Sequence, residues 1–234
     1  MEERTCGAPS SRICSERLTR LQAFLLFGLL LLGGCESAYY GAWEKMGVHK
    51  RDILVDRVED AASAQEAAKV EFQSALEQFS SVVSVPPTEL KETYDALEEA
   101  FEDSEARAEE VSDRIESVES VSKALFEEWE DEVGQISNSR LRSASESQLQ
   151  NSRRQYQALI RAMRQAESKM APVLTAFRDQ VLFLKHNLNA QAIASLEGEL
   201  GLIQTDVAAL VRDMEASIAR SQTFIEDMQL LGGG

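Results

Sequence analysis

Apolar side chains recur in alternating steps of three and four residues through four long stretches of the chain. The second stretch runs Leu90, Tyr94, Leu97, Phe101, Ser104, Ala108, Val111, Ile115, Val118, Ser122, Leu125 and Trp129. A three-four repeat kept over about five heptads is the signature of coiled-coil packing, because it holds one stripe of each helix against its partners. The sequence therefore predicts an all-α fold.

The other three stretches keep the same rhythm. The third runs from Leu149 to Leu184 and the fourth from Ile193 to Leu231. In the first stretch, the predicted stripe is Val55, Val58, Ala62, Gln65, Lys69, Phe72, Leu76, Phe79 and Val83. Four stretches of this length predict an elongated antiparallel coiled-coil bundle of four long helices.

Few residues break the helical pattern, and they define the predicted turns. Pro86 and Pro87 end any helix, because proline lacks an amide hydrogen and disfavours α geometry in the residue before it. Asn189 is a candidate N-cap for the fourth helix. Gly134 and the segment 137–139 favour a third turn, but no proline enforces it. A three-helix arrangement with one helix of nearly 100 residues is therefore the alternative.

Charge is distributed very unevenly between the second and third stretches. Residues 88–133 hold 18 acids and four bases, whereas residues 138–187 hold nine bases and three acids. An acidic helix followed directly by a basic one favours a folded-back pair with complementary flanking charges. Solvated, unpaired charged faces are the alternative interpretation.

The first 34 residues have the pattern of a lipoprotein signal peptide. Several arginines precede an apolar run from Leu21 to Leu32, which is too short to span a membrane but suits a signal peptide. Leu32 is followed by Gly33, Gly34 and Cys35, as in a bacterial lipobox. We predict cleavage between Gly34 and Cys35 and lipidation of Cys35, which would anchor the chain to a membrane.

The predicted domain organisation follows from this reading. Residues 1–34 are the signal peptide, 35–47 a lipidated membrane-proximal linker, 48–231 one helical coiled-coil domain, and 232–234 a flexible tail. Glu36 follows the cysteine at a position where aspartate favours retention in the inner membrane, and glutamate is a weaker version of that signal. We therefore expect the periplasmic face of the outer membrane, with the inner membrane as the alternative.

The residues that usually carry chemistry are scarce. A formal net charge of −16 argues against nucleic-acid binding, which needs clustered lysine and arginine. Neither a phosphate-binding glycine loop nor a catalytic triad pattern is present, and His49 and His186 lack the Glu-x-x-His spacing of di-metal bundles. We predict no catalytic residues, metal, cofactor or small-molecule substrate.

One basic set is a candidate anion-binding face. It comprises Arg153, Arg154, Arg161 and Arg164, which could contact lipid headgroups or wall polymers. Neutralisation of these arginines by the acidic second helix is the competing interpretation, and we favour it.

Two blocks outside the heptads carry a family resemblance. The first reads YYGAWEKMGVHKRDIL from Tyr39 to Leu54, and the second reads LFLKHNLNAQAI from Leu182 to Ile193. Both are similar to an uncharacterised family of Gram-negative lipoproteins, the domain of unknown function 2959. The resemblance covers nearly the whole chain after Cys35. It implies a helical periplasmic lipoprotein and supplies no activity, cofactor or catalytic residue.

The functional prediction is a non-enzymatic, lipid-anchored periplasmic protein that acts as a scaffold, spacer or adaptor of the cell envelope. We expect a protein partner or self-association in addition to the membrane. The alternative is a membrane-surface binding protein that uses its basic helical face on anionic lipid or wall polymers.

Overall fold

The computed structural model describes residues 49–84, 86 and 89–232. Within these residues the chain forms four α-helices, which are α1 (Lys50–Ser84), α2 (Leu90–Gln135), α3 (Ser139–His186) and α4 (Ala190–Gly232). The helices contain 35, 46, 48 and 43 residues. At 1.5 Å per residue, α3 is about 70 Å long.

The chain divides into two units at Lys50, and His49 is the only described residue of the first unit. The predicted signal peptide, Gly34, Cys35 and the predicted linker lie outside the described residues.

Asparagine side chains define the starts of α3 and α4. Asn138 Oδ1 accepts hydrogen bonds from the backbone amides of Arg140 and Leu141 at 3.0 and 3.2 Å. Asn189 Oδ1 does the same for Gln191 and Ala192, both at 3.1 Å. These bonds satisfy amides that have no partner within the helix. They confirm the predicted cap at Asn189 and separate α2 from α3, so the alternative of one continuous long helix is wrong.

Each helix packs mainly against two neighbours, so that the order around the bundle is α1, α2, α3, α4 and back to α1. Contacts between opposite helix ends show that neighbours run antiparallel. Lys50 at the start of α1 contacts Glu128 near the end of α2, and Gln155 near the start of α3 contacts Asp227 near the end of α4. The predicted all-α bundle of four helices is confirmed.

The predicted stripes of α2, α3 and α4 form the core. Most of their members are buried, and the exceptions are half-buried residues such as Trp129, Tyr156 and Leu200. Phe177 of α3 is fully buried and packs edge-on against Phe79 of α1, with 6.3 Å between ring centroids. The centre of the bundle therefore joins helices that are not adjacent around its rim.

The predicted stripe of α1 is wrong at every second position. Val58, Gln65, Phe72 and Phe79 are buried as predicted, but Ala62, Lys69, Leu76 and Val83 are only half-buried. Their places in the core are taken by the preceding residues, which are Ala61, Ala68, Ala75 and Val82. Ala68 and Ala75 are smaller than Lys69 and Leu76 and let α1 pack closely against its neighbours. The other two pairs, Ala61 with Ala62 and Val82 with Val83, are identical in size and differ only in the neighbours they meet.

Gln65 is the polar exception in the centre of α1. Its side chain is fully buried, and neither the amide oxygen nor the amide nitrogen has a hydrogen-bond partner among the described residues. The contact of Lys69 with Glu215, at 3.9 Å, aligns Gln65 with the buried Ser217 and Ser221 of α4. An unsatisfied buried amide costs about 1–3 kcal/mol, so this layer lowers the stability of the bundle.

We predict that Gln65→Leu stabilises the protein by about 1–2 kcal/mol, because it removes the unsatisfied amide and keeps a similar volume. Thermal and urea unfolding measure the change. Gln157→Leu is the matched control, since Gln157 is exposed on α3 and its substitution should change the free energy of unfolding by less than about 0.5 kcal/mol. A loss of stability in Gln65→Leu would contradict the prediction.

Pro172 lies in the middle of α3, where it is exposed, and the helix continues through it from Ser139 to His186. Proline cannot donate the backbone hydrogen bond that this position would otherwise make. The helix is held here by burial of its other face, on which Met170, Val173 and Phe177 are nearly inaccessible to solvent.

We predict that Pro172→Ala raises the free energy of unfolding by up to about 3 kcal/mol, because the exposed site accepts alanine without a clash. Pro86→Ala is the control. Pro86 lies between α1 and α2, where loss of proline frees the unfolded chain and should lower stability by up to about 1 kcal/mol. Equal effects of the two substitutions would count against this account.

Candidate functional site

Four ion pairs join α2 to α3 in one antiparallel register. Successive acids on α2 have the same spacing as their partners on α3, which follow in the reverse order. The pairs are Glu98 with Lys185 at 3.5 Å, Glu105 with Arg178, Glu119 with Arg164 at 2.5 Å, and Glu130 with Arg153 at 2.6 Å. We call this set the charge ladder. It confirms the predicted pairing of the acidic helix with the basic one.

Arg164 is the most strongly held member of the charge ladder. Its Nε and one terminal nitrogen donate to both carboxylate oxygens of Glu119, and its other terminal nitrogen donates to both oxygens of Glu167 at 2.9 and 2.8 Å. Glu167 also accepts a 2.6 Å hydrogen bond from Ser112 of α2. The carboxylate of Glu119, supported by Glu167, raises the pKa of Arg164 above its usual value.

Two arginines of the charge ladder also stack on aromatic rings of α2. The guanidinium carbon of Arg153 lies 5.7 Å from the centroid of the Phe126 ring, and that of Arg178 lies 5.9 Å from the Phe101 ring. Each ring precedes the paired glutamate by one helical turn, so the ring and the carboxylate contact the same cation. The hydrogen bond from Arg153 lowers the pKa of Glu130.

The four predicted anion-binding arginines are divided by this arrangement. Arg153 and Arg164 contact carboxylates of α2, whereas Arg154 and Arg161 are exposed on the outer side of α3. Arg154 donates to Asn151 at 3.3 Å, and Arg161 has no ion-pair partner among the described residues. The four arginines therefore do not form one open face.

Sequence reasoning missed the polar contacts of α4 and α1. Lys169 of α3 contacts Asp213 of α4 at 2.6 Å and lowers the pKa of that carboxyl. Lys50 of α1 contacts Glu128 of α2 at 2.9 Å. The spacing of Asp213 and Asp227, two heptads apart, is a signal that could have located the α3–α4 contact.

The outer side of α2 is strongly acidic. Ten exposed carboxylates of this helix have no ion-pair partner in the part of the chain that the structure describes, and they are Glu92, Glu99, Glu102, Asp103, Glu109, Asp113, Glu116, Glu127, Asp131 and Glu132. Their mutual repulsion opposes folding and also opposes the approach of other anionic surfaces.

The surface has shallow grooves between helices. One of about 400 Å³ lies between α3 and α4, where alanines and Thr223 are flanked by Arg220 and by Asp227, which accepts a hydrogen bond from Gln155. Over the described ranges, no group of three or more His, Cys, Asp or Glu residues is arranged to hold a metal ion. The bundle gives no sign of catalytic activity.

Large apolar side chains are exposed at two turns. Leu182, Phe183 and Leu188 lie at the α3–α4 turn, and Leu141 lies just after the α2–α3 turn. The other exposed large apolar residues of the described chain lie within helices, and they are Val70 in α1, Leu202 three turns into α4 and Leu230 near its end. The two turns are at opposite ends of the bundle, because α3 connects them. No described helix is long and apolar enough to cross a membrane.

We predict that Arg164→Glu destabilises the protein and that adding Glu119→Arg restores part of the loss, with a coupling energy of about 1 kcal/mol for this bidentate pair. Arg161→Glu is the matched control on the same helix and should change the free energy of unfolding by less than about 0.5 kcal/mol. Urea unfolding at low and high salt measures Arg164→Glu, Glu119→Arg, the double variant and Arg161→Glu, since a coupling energy requires both single variants. The role of the charge ladder would be contradicted if Arg164→Glu and Arg161→Glu lost equal stability and if adding Glu119→Arg to Arg164→Glu restored none of it.

Acid should weaken the same interface. The pKa of Glu130 is lowered by Arg153 in the folded chain, so this pair stabilises the fold above the ordinary carboxyl pKa and stops doing so as the pH falls through the lowered value.

Comparison with protein families gives a match that covers most of the chain. No curated protein is significantly similar to this sequence. A family described as "Protein of unknown function (DUF2959)" matches residues 39–228, which include nearly all of the four-helix bundle and both blocks that carry the resemblance. The chain belongs to the DUF2959 family.

Proposed function

We propose that the protein is a lipid-anchored, non-enzymatic scaffold, spacer or adaptor on the periplasmic face of the outer membrane. The observation that carries this proposal is the geometry of α1. It begins at Lys50, 15 residues after the lipobox cysteine, and its 35 residues extend over about 50 Å. A lipid on Cys35 would therefore hold one end of the bundle near the membrane and leave the α3–α4 turn available at the other end.

The alternative function, binding of anionic lipid or wall polymers through the basic side of α3, has weaker support. Arg153 and Arg164 are engaged by Glu130 and Glu119, so this function would depend on Arg154 and Arg161. Charges that are already paired contribute little to a further anionic ligand. We therefore place this function second.

We predict that Cys35→Ser abolishes incorporation of an alkyne-tagged fatty acid and moves the protein from the membrane fraction to the soluble fraction. The reason is that the thiol is the acyl acceptor and that several acyl chains are needed for stable anchoring. Gel fluorescence after labelling in cells measures both effects.

Cys14→Ser is the matched control, because Cys14 lies in the predicted signal peptide. It should leave labelling and fractionation unchanged. Labelling that survives Cys35→Ser would contradict the anchor. The scaffold role is tested separately by crosslinking in cells with mass spectrometry, and the absence of any protein or wall adduct would count against it.

A further inference from the structure

The turn between α2 and α3 has a composition unlike the helix that precedes it. Residues 127–132 contain five acids, whereas residues 134–145 contain none and include Arg140 and Arg142. We call residues 134–145 the hairpin tip. In a chain with 40 acidic residues, this is a local change of sign at one end of the bundle.

The hairpin tip projects beyond the neighbouring helices. Lys50, the first residue of α1, contacts Glu128, so the last two turns of α2 extend past the start of α1. On the other side, Gln155 contacts Asp227 near the end of α4, and the first buried residue of α3 is Leu149. The first turns of α3 consequently lie in solvent.

Leu141 gives the hairpin tip an apolar centre. Its side chain is 60% exposed and is flanked in sequence by the two arginines. Arg142 donates to the carbonyl oxygen of Ile136 at 2.9 and 2.7 Å and so closes the turn. The guanidinium of Arg140 has no hydrogen bond or ion pair to any residue that the structure describes. At a lipid surface, a leucine side chain can bury at the headgroup–acyl boundary while an adjacent arginine keeps its charge among the phosphates.

The end of the bundle at which the hairpin tip lies is the end where the chain enters it. Because α1 and α3 each run antiparallel to α2, their N-termini share one end. Residues 36–49 connect this end to Cys35, and a fully extended segment of that length reaches about 50 Å at most. With Cys35 in a membrane, the hairpin tip is within reach of the same surface.

We propose that the hairpin tip is a membrane-contact site for anionic phospholipid headgroups, with Arg140 at the phosphates and Leu141 at the acyl boundary. This inference rests on the proposed lipid anchor. Position selects the lipid, because the hairpin tip lies at the end of the bundle that the proposed anchor on Cys35 holds at a membrane. Seven of the ten unpaired carboxylates of α2 lie farther from this end, between Glu92 and Glu116, so an anionic surface repels the length of α2 more than it repels the acid-free hairpin tip.

The test uses the full-length lipidated protein in vesicles, with an environment-sensitive fluorophore on Leu141→Cys. Since Cys35 is acylated in the processed chain, the introduced thiol is the free one. In vesicles with 30% anionic lipid and a lipid-borne spin-label quencher, we expect roughly twofold quenching, because interfacial side chains lie within the headgroup and upper acyl region. Leu202→Cys is the matched control, with 63% exposure toward the opposite end, and should not be quenched.

A second variant distinguishes the contribution of Arg140 from that of Leu141. Adding Arg140→Glu to the labelled protein should abolish the quenching, whereas Arg212→Glu on α4 should not change it. Equal signals at the two labelled positions, or quenching that is the same in purely zwitterionic vesicles, would overturn the contact site. A signal at Leu141→Cys that depends on protein density and not on the quencher would instead indicate self-association and overturn it too.

Flotation of the same vesicles keeps the two proposals distinguishable. Protein that floats with the vesicles but shows no quenching at Leu141→Cys retains its anchor and refutes the contact site alone. Protein that does not float refutes the lipid anchor, and it also refutes the membrane-contact site, because that proposal depends on the anchor.

Discussion

The register between α2 and α3 is set by the three-residue turn that joins them and is matched by charge along the interface, and the packing of the bundle depends on it. A heptad core alone tolerates a slip of one full repeat, because similar apolar side chains would meet again. The charge ladder disfavours this slip, since only one of its four basic residues would then face a glutamate of the ladder. Each ion pair stabilises the fold little by itself, but a slipped register of α2 against α3 loses several ion pairs at once. How far the α2–α3 turn extends past α1 and α4 is set by the contacts of Lys50 with Glu128 and of Gln155 with Asp227.

The fold class, the number of helices and the caps could be predicted because they depend on local rules. Proline placement, asparagine caps and a long three-four repeat each act within a few residues. The stripe of α1 could not be placed correctly, because Ala61 and Ala62 are equally apolar by composition and differ only in the neighbours they meet. Which alanine is buried is decided by the close approach of the other helices, and that is a tertiary effect.

The candidate site could also be predicted only in part. Net charges of the two central stretches were enough to infer that they pair, but not which arginines are used. Arg161 and Arg164 differ by less than one helical turn, and this rotation alone separates an exposed cation from one held by two carboxylates. The unsatisfied Gln65 was visible in the sequence as a polar residue in an apolar stripe, and its lack of partners is visible only in the structure.

The matched spacing of the charge ladder has a consequence for how the length of this bundle varies among relatives. An insertion of one residue in α2 would rotate every later glutamate away from its arginine and bring polar residues into the core. A change of seven residues keeps the faces aligned, provided that α3 changes by seven at the same level. The α2–α3 hairpin should therefore lengthen or shorten only by whole heptads in both helices at once, so its length would vary in steps of about 10 Å.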